Sequence, residues 1–220
     1  MKNNWKSTIY HALLWIVALV YFLPVLWIIV SAFKTKSDLL ATPPKWFFRP
    51  TLSNFIDLFG REHFWRTFTN SVVISVVSVS LAIVVSFLAA YSLSRFKPYG
   101  TDFILFLILS IRMVPAAAVV VPVYLMYAAR GWKDSFWGMT LFYSMFSIPF
   151  SLWILKGFMD GVSLRFDETG LANNASRFHI IFKVILPQVK PSLIAAFVFN
   201  LIFVWNEFLL ISFWVGAPRQ

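Results

Sequence analysis

The chain has 220 residues, of which 60% are hydrophobic and 19% aromatic, and its 13% of charged residues is about half the share usual in a soluble globular domain. The net charge of +10 comes from 19 Lys and Arg that stand singly between apolar runs, which argues against a nucleic-acid surface and for loops facing anionic headgroups. With no cysteine and three scattered histidines, His11, His63 and His179, the sequence offers no disulfide framework, thiolate nucleophile or metal cluster.

A helix that crosses the hydrocarbon needs about 20 mainly apolar residues, because every backbone amide must be satisfied within the segment. Five segments meet that requirement: 12–33, 70–92, 103–127, 136–157 and 192–215. The fold class expected is therefore an all-α, polytopic transmembrane helix bundle forming a single domain over 1–220. The basic start and apolar run of the N-terminus resemble a signal peptide. The run is long for a signal core, however, and no small-residue cleavage site directly follows it, so it reads as a retained first span.

Between the first two spans, prolines and the cluster KWFFRP suggest an interfacial turn, and 52–68 reads as an amphipathic helix on the membrane surface. In the second span Ser78, Ala82, Ser86 and Ala90 recur every four residues, a stripe where another helix can approach closely. The third span carries Pro115 and Pro122, each able to kink it, and Arg112, readable either as a pathway charge or as a side chain snorkelling to headgroups. Positive charge in the short loops points to an N-terminus inside.

The polar passage 158–191 follows the fourth span. Asp167 and Glu168 suit a helix start, and Asn173 and Asn174 suit its left-handed end, which predicts a short helix from Asp167 to Leu171 or Ala172. Ser176 then caps a second helix presenting Phe178, Ile181, Phe182 and Ile185 on one face, with Pro187 stopping or kinking it and Pro191 in the first turn of the fifth span. Within that span Asn200, Asn206 and Glu207 lie in an apolar run, expected either on the translocation path or in an interhelical hydrogen bond that positions it, the alternative being a carboxylate near the outer membrane surface.

This passage resembles the signature of bacterial binding-protein-dependent ABC importer permeases, of the form E-A-A, three residues, D-G, then an apolar run closing in L-P. Counted back from Pro187, Glu168 falls on the glutamate, Thr169 and Gly170 on the alanines, Asn173 on the aspartate and Asn174 on the glycine. PPKWFFRPTLSNF, MVPAAAVVVPVYLMY, SIPFSLWILKGF and LPQVKPSLIAAFVFNLIFVWNEFLL resemble the carbohydrate-uptake branch, which includes the maltose permease subunit MalG.

The resemblance implies a multi-pass subunit of the bacterial inner membrane, with no catalytic or metal site and no cofactor of its own. ATP and Mg would be bound by a partner ATPase; no phosphate-cradling GxxxxGK[ST] loop occurs in the chain. The implied partners are a second permease subunit, two ATP-binding subunits, an extracytoplasmic solute-binding protein, the lipid membrane and a carbohydrate-like substrate, with no nucleic acid. Glu168, Thr169, Gly170, Leu171, Ala172, Asn173 and Asn174 would form the coupling helix. Phe178, Ile181, Phe182 and Pro187 would tie it to the spans, and Asn200, Asn206 and Glu207 would lie near the substrate pathway.

Gly170 in place of alanine costs about 0.5–1 kcal/mol of helix propensity, so a looser coupling helix is expected. A sixth span present in the family is not found after 192–215, which reads as a truncated end. A secondary transporter or a non-transporting assembly protein is the alternative reading. The former would call for internal repeats and several buried acids, and the sequence has no evident repeat and one intramembrane acid.

Overall fold

The computed structural model describes residues 4–132 and 135–207. The chain divides into two compact units, 1–68 and 69–220. All regular structure among the described residues is helical.

The first unit is built on α1 (Asn4–Ala32). Its sequence is apolar on every side, and its most apolar stretch is covered nowhere by protein. Such a surface requires lipid. Where α1 ends, the Asn54 amide donates to the carbonyls of Ala32 and Lys34 at 3.0 and 2.7 Å, satisfying acceptors that a helix end leaves open. Lys34 is buried; its ammonium donates to the Lys45 carbonyl at 2.8 Å and lies 4.3 Å from the centre of the Trp27 ring. The short α2 (Lys36–Leu39) starts on Thr35, whose hydroxyl accepts from the Asp38 amide.

The expected surface helix over 52–68 is two elements. The first, α3 (Ser53–Phe59), ends at Gly60, and residues 62–68 are the opening turns of the long α4 (Glu62–Phe96). Rings on both pieces hold the turn: Phe59 stacks on Trp65 at 5.6 Å and Phe64 on Phe68 at 5.8 Å.

The second unit contains the rest of α4, then α5 (Thr101–Ser110), a 3-10 turn (Ile111–Met113), α6 (Ala116–Ala129), α7 (Phe136–Asp160), α8 (Arg165–Ala172), α9 (Arg177–His179), a π-helical segment (Ile180–Ile185) and α10 (Leu186–Asn206). Among the described residues, four continuous stretches are long and apolar enough to cross a membrane: Trp5–Ala32, His63–Phe96, Phe136–Asp160 and Arg177–Asn206.

The segment expected as a third span, 103–127, is not among them. It is interrupted at Val114, which is extended, with φ −69° and ψ 126°. The cause is Pro115: its ring disfavours helical backbone in the preceding residue and its nitrogen has no proton to donate. Pro122 lies within α6 and does not interrupt it. The last span begins earlier than expected, and residues 208–215 of its expected range lie outside the described residues.

The small-residue stripe of α4 is the seam of this unit. Ser78, Ala82, Ser86 and Ala90 are all fully buried, and the Ser86 hydroxyl donates to the Ile148 carbonyl of α7 at 3.2 Å. Of α7, Thr140, Ser144, Ser147 and Ser151 are likewise buried. Small side chains let helix backbones approach closely, and close packing drives association where lipid is as apolar as the helices themselves. Two apolar clusters flank the seam, one around Leu155, Met159, Ile180 and Ile185 and the other around Val79, Tyr143 and Val204.

Candidate functional site

The polar passage after α7 folds as a short helix held against the ends of α4 and α7. Helix α8 starts two residues before the expected Asp167, with Asp167 and Glu168 in its first turn, where acids favour the helix dipole. Its end is a Schellman turn. Asn174 takes the left-handed conformation at φ 58°, its amide donates to the Leu171 carbonyl at 3.0 Å, and the Ala175 amide donates to the Gly170 carbonyl at 3.0 Å. Asn173 closes the same turn through its side-chain amide, which donates to the Thr169 carbonyl at 2.8 Å. Ser176 caps the next helix, accepting from the His179 amide at 3.2 Å.

The helix has two faces. Asp167 and Gly170 point inward, whereas Glu168, Thr169, Leu171 and Ala172 are exposed. On the inner face Asp167 is gripped from α4. The Tyr91 hydroxyl donates to one carboxylate oxygen at 2.6 Å, and Arg95 Nε lies 2.9 Å from the other. Arg95 also donates to the Val162 carbonyl at 3.0 Å, and its side chain is only 6% exposed. One residue earlier, the Ser94 hydroxyl donates to Asp160 at 2.6 Å, and Lys156 pairs with the same carboxylate. A cavity of about 630 Å³ opens beside this cluster. Its lining of Lys97 and Lys156 with Asp102 and Asp160 is mixed in charge.

The second inward contact is apolar. A Cβ placed on Gly170 would fall 2.7 Å from Cγ1 of Ile180, a buried residue of the π-helical segment. Glycine is therefore what lets α8 sit this close, and the cost in helix propensity is offset by packing.

In the segment after Ser176 the buried residues are not those of the expected 3.6-residue face. The buried ones are Ile180 and Ile185, five apart, then Val189, Ser192, Ala196, Asn200 and Val204 at spacings of three or four. A five-residue step on one face is what a π-helix provides, and the Leu186 amide bonds the Ile181 carbonyl five residues back. Ile181 is half-buried, Phe182 touches Phe87 at 6.4 Å between ring centres, and Phe178 is exposed and stacks on Phe182. Pro187 does not stop the helix, which runs on from the π-helical segment into α10; Pro187 lies at the start of α10 and Pro191 inside it rather than at its start.

The three expected pathway residues part company. Asn200 is fully buried and donates to Ser151 Oγ of α7 at 2.9 Å, an interhelical bond of the second expected kind. Asn206 is exposed and donates back to the Ile202 carbonyl, and Glu207 follows as the C-cap of α10. Arg95, Tyr91 and Ile180 are members of the site that sequence reasoning did not single out, and Asp167 was expected only as a helix start. For Arg95 the prior signal was a charge at the end of an apolar run.

Residues 82–218 match the family of binding-protein-dependent transport system inner membrane components. The chain is 34% identical to a probable ABC transporter permease, y4oR, of Sinorhizobium fredii, covering 94% of this chain and 76% of that protein. It is 28% identical to the diacetylchitobiose uptake system permease DasC of Streptomyces coelicolor, over 86% of this chain and 68% of that one. In fold it is similar, with a TM-score of 0.77 and 22% identity, to a chain of a bacterial ABC transporter involved in import of the acidic polysaccharide alginate. That likeness covers 99% of this chain and 77% of the other. The similarity is to the group and not to the maltose subunit in particular.

Proposed function

The chain belongs to the binding-protein-dependent transport system inner membrane components and is the permease subunit of an ABC-type importer; from that premise we propose that it forms half of the translocation pathway for a sugar, oligosaccharide or polyol. It works with a second permease subunit, two ATP-binding subunits that hold ATP and Mg, and an extracytoplasmic solute-binding protein. The relative that takes up diacetylchitobiose supports the carbohydrate class.

One observation carries the coupling role. Helix α8 turns Glu168, Thr169, Leu171 and Ala172 outward while Asp167 and Gly170 anchor it inward to α4 and the π-helical segment. A displacement imposed on the outer face passes to the bundle through contacts that leave α8 little room to yield alone. Glu168 supplies the acidic contact to a basic group of the ATPase, Leu171 and Ala172 supply apolar surface, and Asn173 and Asn174 end the helix. With α8 cytoplasmic, the N-terminus is inside and the chain crosses five times, 101–129 crossing as a broken helix. Asn206 and Glu207 then lie toward the outer end of α10, within reach of the substrate path.

Replacing Glu168 with Ala is expected to weaken copurification of the ATP-binding subunits and to lower substrate-stimulated ATP hydrolysis. Unchanged association together with unchanged stimulation would remove Glu168 from the coupling surface.

A further inference from the structure

The interruption between α5 and α6 carries a cation. Arg112, in the 3-10 turn, has its guanidinium carbon 4.8 Å from the centre of the Phe150 ring of α7 and 4.5 Å from that of Phe203 of α10. Phe150 lies ten residues before the end of α7 at Asp160. At about 1.5 Å per residue that is roughly 15 Å, which is half the hydrocarbon thickness. Measured along α7, the guanidinium thus sits roughly 15 Å from the α8 end of that helix, which favours the pathway reading of Arg112 over the snorkelling one.

A charge at that depth calls for a partner. Among the described residues Arg112 makes no ion pair. Glu207, the one acid of the last span, lies four residues beyond Phe203 and has interactions of its own. The backbone beside Arg112 points the same way. Non-helical backbone at membrane depth is tolerated where it is buried in protein or lines a water-filled cavity. Met113 and Val114, next in the chain, are exposed on this subunit, so the interruption is not wrapped by its own bundle. Two rings fix the plane of a guanidinium while leaving its edge of N–H donors free, and that edge matches a carboxylate in two parallel hydrogen bonds.

We propose that Arg112 is a specificity-determining residue on the translocation path and that the transported carbohydrate bears an acidic group, a carboxylate being the best fit to the guanidinium edge. The proposal rests on the carbohydrate-permease reading above. The substrate's anion completes the charge balance at the interruption as it passes, and the neutral analogue leaves Arg112 without a counter-charge.

The test is uptake by the complete transporter, with all its partner subunits, in proteoliposomes. The probes are a radiolabelled disaccharide of uronic acids and the neutral disaccharide of the same linkage. The native complex is expected to favour the acidic disaccharide at least tenfold. In Arg112→Gln that ratio falls toward one, and in Arg112→Lys, which keeps the charge and loses the planar fork, a reduced preference persists. Because the readout is a ratio, a lower yield of assembled variant does not imitate the effect. Neutral uptake equal to or above acidic uptake in the native complex, or an unchanged ratio in Arg112→Gln, would overturn the proposal and leave the carbohydrate reading standing. ATP-dependent uptake of neither disaccharide, in a complex whose ATP hydrolysis is stimulated by no member of a panel of sugars, oligosaccharides and polyols, would overturn the carbohydrate reading and the proposal with it.

Discussion

Arg95 and Arg112 each set a guanidinium among the helices of the second unit, but Arg95 closes on a carboxylate and backbone carbonyls whereas Arg112 lies between two rings and forms no ion pair among the described residues. Arg95 is at the end of α4, where Asp167 of α8 can come to it. Arg112 is at a helix interruption. The contrast separates a charge used to hold the subunit's own parts together from one left available to something passing by. On the two proposals above, coupling belongs to the α8 end of the bundle and selection to the interruption between α5 and α6.

The largest expected effect breaks the first of these arrangements. Asp167→Ala leaves Arg95 buried and uncompensated, and removing one partner of a buried pair costs about 3–5 kcal/mol. We expect a strongly lowered thermal stability of the detergent-solubilised protein and the loss of substrate-stimulated ATP hydrolysis. The double variant Arg95→Met with Asp167→Leu should recover most of the stability, because no buried charge remains, while stimulation stays low because α8 is no longer held in register. A single variant as stable as the native protein would show that Arg95 is not buried in the working state.

A smaller effect tests the apolar half of the same anchor. Gly170→Ala restores the residue the family signature has, and on propensity alone it would stabilise α8 by about 0.5–1 kcal/mol. The added methyl meets Ile180, and overpacking of this kind costs about 1–3 kcal/mol. The net expectation is destabilisation by about 1–2 kcal/mol, relieved when Ile180→Val is added. Stabilisation by the single change would mean that α8 does not sit this close.

Arg112→Gln should be milder still in stability. It forfeits two cation–π contacts worth about 0.5–1 kcal/mol each, offset by removal of a charge from the hydrocarbon. A loss as large as that of Asp167→Ala would reveal a partner for Arg112 and erase the difference between the two arginines.

What could be read in advance followed from local chemistry. The caps of α8, the left-handed Asn174 and the Ser176 cap depend on neighbours a few residues apart, and the stripe of α4 depends only on a four-residue repeat. The helix interruption was half legible: Pro115 announces a kink, but two prolines in one apolar run do not say which of them gives way. Arg95 with Asp167 and Gly170 with Ile180 are contacts across the chain, set by where helices meet, and no periodicity encodes them. The face of the segment after Ser176 was misjudged because a 3.6-residue period was applied to a π-helix. The five-residue step from Ile180 to Ile185, continued by Val189, is the signal that would have corrected it.

The central claim is that the outer face of α8 is where the ATP-binding subunit acts. The chain has no native cysteine, so single cysteines at Leu171 and, as a control, at the inward-facing Gly170 can be joined to a cysteine on the partner without background. Leu171→Cys in the assembled complex should crosslink to the ATP-binding subunit with a yield that changes when ATP is added, while Gly170→Cys should crosslink weakly in either state. Equal yields from the two positions, or no crosslink from Leu171 in a complex that still transports, would contradict the account.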